Sequence, residues 1–140
     1  MNPVASDRGG PVPVVPHRWV LVVIAAGGVV GAELRYATGL LLPAHPPAFP
    51  WATVLVNVVG GFAMGALTAG IDRSRTPHPL LRPFAGVGVL GGFTTFSTYS
   101  TDTVRLLDAG RVLPALGYAA LTLVAALAAT LAGRLVVERQ

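Results

Sequence analysis

The hydrophobic and polar positions along the chain divide it into four long uncharged stretches separated by short polar loops. Residues 51–71, 83–101 and 112–133 contain no charged side chain, and 19–32 is uncharged as far as Glu33. A helix rises ~1.5 Å per residue, so about 20 apolar residues cross the hydrocarbon core of a membrane. The pattern therefore predicts an all-α integral membrane protein of one domain with four spanning helices. The helices are expected at about residues 18–42, 51–71, 80–107 and 112–137.

The segments between these helices are polar or rich in proline. The loop 43–50 holds four prolines, and the loop 72–79 reads DRSRTPHP. Proline cannot continue a helix because it lacks the backbone N–H. Residues 1–17 are rich in proline and glycine and lack the apolar stretch of a signal peptide, which favours a flexible N-terminal tail. Residues 138–140 form a short C-terminal tail.

The composition supports lipid as the solvent of this chain. Hydrophobic residues make up 53% and charged residues 11%, whereas soluble domains carry about 25% charged residues. The chain has no cysteine, which excludes disulfides and thiolate chemistry. All ten basic residues are arginines spread along the chain, so we expect no nucleic-acid partner. The net charge of +4 is interpreted as a determinant of membrane topology.

The third predicted helix carries an unusual run, GVGVLGGFTTFSTYS, at residues 86–100. Each glycine lowers helix stability by about 1 kcal/mol relative to alanine, so Gly91 and Gly92 beside two threonines favour a break. Unwound backbone at membrane depth is tolerated only where protein or a cavity satisfies it, and transporters build ion sites at such breaks. The run therefore predicts an ion site near residues 91–95. The alternative is a tightly packed helix crossing in which the hydroxyls bond to their own turn.

Two aromatic residues follow this run. Phe96 and Tyr99 are three positions apart and share one helix face. Aromatic ring edges are electropositive and can face a small anion. The alternative is that both rings face lipid or the protein core.

Asn57 is the single amide of its apolar stretch, 54–59. A buried amide without a partner costs several kcal/mol in lipid, on the order of 2–7. It must therefore bond to another helix or line a wet path, where its NH2 group could donate to an anion. Tyr118 and Thr122 are four positions apart on helix four and offer two hydroxyls on one face.

Ionisable residues within a span suggest function, and Glu33, Arg35 and Asp102 need an account for this reason. Glu33 and Arg35 are two positions apart and do not face each other on a helix. Arg35 either lies near an aqueous vestibule and attracts anions or extends to the membrane interface. Asp102 either lies in a vestibule or bonds a helix end.

On these residues the chain resembles the CrcB/Fluc family of fluoride channels over about residues 18–137. Three motifs carry the resemblance: GGVVGAELRY at 27–36, TVLVNVVG at 53–60 and GGFTTFST at 91–98. The resemblance implies a fluoride-selective channel, and no enzyme, that exports fluoride passively across the inner (cytoplasmic) membrane. It also implies an antiparallel, dual-topology dimer with a broken third helix, two pores between the subunits and one structural sodium ion at the centre.

The same resemblance implies roles for individual positions. Backbone carbonyls of Gly91 and Thr94 would bind the sodium, and Arg35 would lie in the vestibule. The fluoride pore would be lined by Asn57, Thr95, Phe96, Ser97, Tyr99, Tyr118 and Thr122. The family usually has a second phenylalanine where this chain has Tyr99. The phenol keeps the ring edge and adds a hydroxyl that can donate to fluoride or block the path.

Two other classes of protein fit part of the pattern. A small dual-topology, proton-coupled multidrug exporter would use a membrane glutamate, for which Glu33 is the candidate, but it leaves the glycine–threonine run unexplained. A non-transporting assembly subunit is the third possibility.

The arginines are unequally divided between the two sides of the predicted domain. One side holds seven and the other three: Arg8, Arg18, Arg73, Arg75, Arg82, Arg134 and Arg139 against Arg35, Arg105 and Arg111. Short loops rich in arginine stay cytoplasmic, which favours both termini inside. A dual-topology homodimer needs almost no bias, so the partner is either a second copy of the chain or a paralogous subunit of opposite bias.

Overall fold

A computed structural model describes residues 16–43 and 48–140, and every regular element in these ranges is helical. The helices are α1, His17–Leu41; α2, Trp51–Arg73; α3, Arg82–Leu90, which continues as Gly91–Phe93; α4, Phe96–Asp108; and α5, Val112–Glu138. Residues 1–15 of the predicted tail lie outside the described residues, and His17 already belongs to α1.

Three of these helices are long and apolar enough to cross a membrane: α1, α2 and α5, with 25, 23 and 27 residues. Large apolar side chains on them are exposed, including Leu41 at 81% and Leu113 at 82%. In water such surfaces would be unfavourable, at about 25 cal/mol per Å² of apolar area. They therefore require lipid or a second protein chain as their neighbour.

The backbone leaves helical geometry between α3 and α4. Thr94 has φ −75° and ψ 159°, and Thr95 has φ −150° and ψ 125°, which are both extended conformations. Gly91 and Gly92 remain helical, so the non-helical part consists of the two threonines and is narrower than the predicted 91–95 segment. The first nine residues of α3 are wound as a π-helix, which the sequence pattern did not predict.

Helix α1 packs closely along α3, and α2 packs along α5. The α1–α3 contact depends on residues without side chains. A Cβ atom at Gly92 would lie 2.6 Å from the carbonyl oxygen of Gly28 on α1, closer than real Cβ contacts. After the Thr94–Thr95 segment the chain crosses to the other helix pair, where α4 packs against α5.

A small buried cluster lies beside this segment. It consists of Val54, Leu106, Ala115 and Tyr118, with Phe49, Val58 and Tyr99 packed against it. The cluster fixes α4 against α2 and α5, and so determines where the side chains after the break lie.

Candidate functional site

Asn57 holds the non-helical segment to α2. Its Nδ2 atom donates to the carbonyl oxygen of Thr95 at 3.1 Å, and its Oδ1 atom accepts from the Thr95 N–H at 2.9 Å. One side-chain amide thus satisfies both main-chain groups of an extended residue, which explains how the break is stable in an apolar environment. The sequence left two possibilities for Asn57: a hydrogen bond to another helix or a position on a wet path. The structure shows the hydrogen bonds, which join α2 to the segment between α3 and α4. One amide hydrogen remains for another acceptor.

Gly60, three residues after Asn57, brings α2 equally close to Thr94. A Cβ atom at Gly60 would collide with the Thr94 methyl group, Cγ2. The same face of α2 therefore supplies an amide for Thr95 and an open surface for Thr94. This is the local reason that the break and α2 form one unit.

The break releases several carbonyl groups from their helical partners, and those of Gly91 and Thr94 are among them. In a continuous helix the Thr95 N–H would bond the Gly91 carbonyl, but it donates to Asn57 instead. The Thr98 N–H would bond the Thr94 carbonyl, but it donates to Thr95 Oγ1 at 3.1 Å. The two carbonyls singled out from the sequence as sodium ligands are therefore among those that lose their i+4 donors.

The hydroxyls around the break are mostly engaged locally. Thr95 Oγ1 caps α4 and donates to Thr98 Oγ1 at 3.0 Å, and it lies 3.2 Å from Ser97 Oγ. Thr94 Oγ1 donates to the Leu90 carbonyl at 2.9 Å. The alternative to an ion site was that the hydroxyls bond to their own turn, and Thr94 does so. Thr95 instead caps the N-terminus of α4.

A cavity of about 430 Å³ opens between α2, the break and α5. Five of the seven predicted pore residues line it: Asn57, Thr95, Phe96, Tyr99 and Thr122. The other two do not: Ser97 is exposed on the first turn of α4, and Tyr118 is fully buried beside the cavity's tyrosine, Tyr99.

Two hydroxyls in this region are buried: Tyr118 is 0% exposed and Thr122 is 4% exposed. Neither Tyr118 Oη nor Thr122 Oγ1 makes a well-formed hydrogen bond to a described residue, although Thr53 and Asp102 lie close enough to Tyr118 to interact with its hydroxyl. A buried donor left unsatisfied costs about 1–3 kcal/mol. They lie one helical turn apart on α5, next to the side chains of the break. Buried hydroxyls that can still donate or accept a hydrogen bond favour a site for a polar ligand here.

The aromatic side chains form a continuous series at the same place. The ring centroids of Phe96 and Tyr99 are 5.5 Å apart, and those of Tyr99 and Tyr118 are 5.6 Å apart. Phe96 is 79% exposed, so one side of its ring faces out of the subunit. Tyr99 Oη donates to the Ala119 carbonyl at 3.3 Å, which directs the phenol hydroxyl to α5.

A second cavity, of about 290 Å³, holds Arg35. It is also bordered by Thr53, Thr95 and Thr98, so Thr95 lies between the two cavities. Arg35 is half-buried there, whereas Glu33 is exposed and borders neither cavity. The arrangement favours a vestibule position for Arg35.

Asp102 is tied to α2 by a contact that the sequence analysis missed. Its carboxylate accepts from Thr53 Oγ1 at 2.8 Å and pairs with Arg105 at 3.5 Å, and its side chain is 12% exposed. Thr53 precedes Asn57 by four residues and therefore shares its helix face. That spacing is the signal that could have identified it.

The fold and the site together define a class: a multi-pass membrane protein with a cavity at an interrupted helix, bordered by a few amide and hydroxyl side chains. The comparisons specify the family. Residues 22–134 match the family described as CrcB-like protein, Camphor Resistance (CrcB), and the chain belongs to this family.

The chain is 52% identical over 114 residues to "Fluoride-specific ion channel FluC 2" of Nocardia farcinica, covering 81% of each chain. It is 48% identical over 110 residues to "Fluoride-specific ion channel FluC 1" of Streptomyces coelicolor, covering 79% of this chain and 71% of the relative. It is 47% identical over 116 residues to "Fluoride-specific ion channel FluC" of Pseudomonas fluorescens, covering 81% and 93%.

Proposed function

We propose that this chain is a subunit of a fluoride-selective channel. The observation that carries the proposal is the buried Thr122 hydroxyl without a described partner, which borders the same cavity as the Asn57 amide with one hydrogen to spare. The buried Tyr118 hydroxyl lies one helical turn from Thr122. All three groups can donate a hydrogen bond, as an anion requires of its ligands. The names of the relatives, fluoride-specific ion channels, support the same anion.

Fluoride selectivity follows from size and hydration. Fluoride is small and holds its water strongly, so a narrow path must replace that water with donors, as selectivity filters do with oppositely polarised groups. Asn57 and Thr122 supply such donors, and the ring edges of Phe96 and Tyr99 add weaker positive charge. Chloride is larger and gains less from the same closely spaced groups.

The complete channel requires a second subunit and a fourth membrane crossing. We assign that crossing to α3, the break and α4 together, since α4 alone has 13 residues and spans only about 20 Å. The exposed ring of Phe96 and the exposed faces of the long helices supply the surface for an antiparallel partner. This partner is a second copy or a paralogue, and the numbers 1 and 2 in the relatives' names fit the existence of paralogous pairs.

A structural sodium ion fits the two released carbonyls. Gly91 and Thr94 have lost their helical donors, so their oxygens are available to a cation. Two such pairs from two subunits give four hard oxygen ligands, which suit sodium. The ion would hold the dimer together and would not be transported.

Transport through this channel is passive and directed outward in the cell. An interior-negative membrane potential favours anion exit by about 2.3 kcal/mol per 100 mV. The protein would therefore lower cytoplasmic fluoride across the inner membrane without another energy source. Glu33, the residue that a proton-coupled exporter would need, is exposed and borders neither cavity.

The test is ion efflux from liposomes containing the purified protein. We expect fast fluoride efflux that does not depend on a proton gradient and little chloride efflux. Glu33→Gln is the control, and it should conduct like the unsubstituted protein. Equal chloride and fluoride efflux would refute the selectivity, and cation–proton exchange abolished by Glu33→Gln would establish the exporter instead.

A further inference from the structure

The hydroxyl of Tyr99 makes a weak bond at the edge of the anion site. Its partner, the Ala119 carbonyl, is 3.3 Å away, at the long end of hydrogen-bond distances. That carbonyl lies inside the continuous helix α5, where it already accepts from the N–H four residues later. The Ala119 carbonyl therefore remains hydrogen-bonded within α5 even when the Tyr99 hydroxyl does not donate to it.

The acceptor of this bond lies on the turn of α5 that precedes Thr122. Helix carbonyls point toward the C-terminal end of their helix, so the Ala119 oxygen points toward the turn that contains Thr122 and Leu123. Tyr99, Thr122 and Leu123 all border the cavity of about 430 Å³. Thr122 Oγ1 is buried there without a partner among the described residues.

We propose that the Tyr99 hydroxyl is an additional, switchable donor to fluoride. Without the anion the O–H donates to the Ala119 carbonyl. When fluoride reaches Thr122, the O–H rotates about the phenol C–O bond and donates to the anion. Hydrogen bonds to an ion are about twice as strong as those between neutral groups, which favours the exchange. A phenylalanine at this position could offer only its ring edge. This inference rests on the proposed channel function and adds a binding residue to it.

The experiment compares Tyr99→Phe with the unsubstituted protein in planar bilayers over a range of fluoride concentrations. The substitution keeps the ring that packs on Phe96 and Tyr118 and removes one hydroxyl. We expect the half-saturating fluoride concentration of the current to rise about tenfold, which corresponds to about 1.4 kcal/mol. Ser100→Ala is the matched control, because Ser100 Oγ also donates to a main-chain carbonyl, that of Phe96, at 3.0 Å and borders neither cavity. Its concentration dependence should not change.

A second measurement does not depend on current. Fluoride should perturb the ultraviolet absorbance of tyrosine in the purified protein, and Tyr99→Phe should reduce that difference signal. An unchanged half-saturating concentration in Tyr99→Phe, even with a lower maximal current, would overturn the inference and leave the hydroxyl as a tether to α5. Absence of fluoride current in the unsubstituted protein would overturn the channel proposal, and this inference with it.

Discussion

Asn57→Asp is the sharpest perturbation of the candidate site, because it changes one NH2 group into an oxygen. The carboxylate can still accept from the Thr95 N–H, now bonded at 2.9 Å, but it can no longer donate to the Thr95 carbonyl, now bonded at 3.1 Å. The new carboxylate oxygen and the Thr95 carbonyl oxygen are both acceptors and face each other without a hydrogen between them. The loss of that bond should lower the free energy of unfolding by about 1–3 kcal/mol. The break remains held on one side, so we expect the protein to fold.

The effect on fluoride should be larger than the effect on folding. A carboxylate ~5 Å from a passing fluoride ion repels it by roughly 3 kcal/mol at an effective dielectric constant of ~20. That energy corresponds to a decrease of roughly 100-fold in fluoride flux. The assay is fluoride efflux from liposomes, with size-exclusion chromatography to establish that the oligomer is intact.

Asn57→Ala is the control for this experiment, since it removes both hydrogen bonds to Thr95 without adding charge. It should destabilise the protein more than Asn57→Asp and reduce the flux less. Normal flux in Asn57→Asp would refute the reasoning, because the amide would then serve only to hold the break to α2.

Three further predictions follow from the packing and the charges. Thr122→Val removes a buried hydroxyl that has no described partner, so the thermal midpoint of unfolding should stay constant or rise. Fluoride efflux should fall about tenfold, the loss expected for one charge-assisted hydrogen bond, and an unchanged efflux would contradict a role for this hydroxyl. Gly92→Ala places a Cβ atom 2.6 Å from the Gly28 carbonyl oxygen and should lower the free energy of unfolding by about 1–3 kcal/mol, measured as a lower thermal midpoint. Gly117 has open space around it, so Gly117→Ala should not lower the midpoint. Because the chain has no cysteine, single cysteines at residues 110 and 140 can be labelled in cells; we expect each to react from one side only, and labelling of both from both sides would mean dual insertion.

The helix boundaries were largely predictable because charges and prolines mark them. The second helix was expected over 51–71 and extends to Arg73, and the fourth was expected over 112–137 and extends to Glu138. The π-helical winding of α3 was not predictable, because it accompanies a close approach to α1 and leaves no periodic signal in hydrophobicity. The position of the break was indicated by composition, but the extended residues proved to be the threonines and not the glycines.

The candidate site was predicted in its residue types and less well in its contacts. Sequence reasoning established that Asn57 needs a partner, and it could not identify Thr95, which lies 38 residues away. The bond between Thr53 and Asp102 spans 49 residues and was missed for the same reason. Contacts between helices depend on how the helices rotate about their axes, and that rotation is determined by packing of the whole bundle.

The double hydrogen bond between Asn57 and Thr95 has a mechanical consequence. Widening or closing the passage at Thr95 would require breaking both bonds in a medium without water to replace them, which is unfavourable. The segment at Thr95 is therefore held in place and is not built as a moving gate. A channel of this design would follow the fluoride gradient and the membrane potential, and its activity in the cell would be set by how many copies reach the membrane.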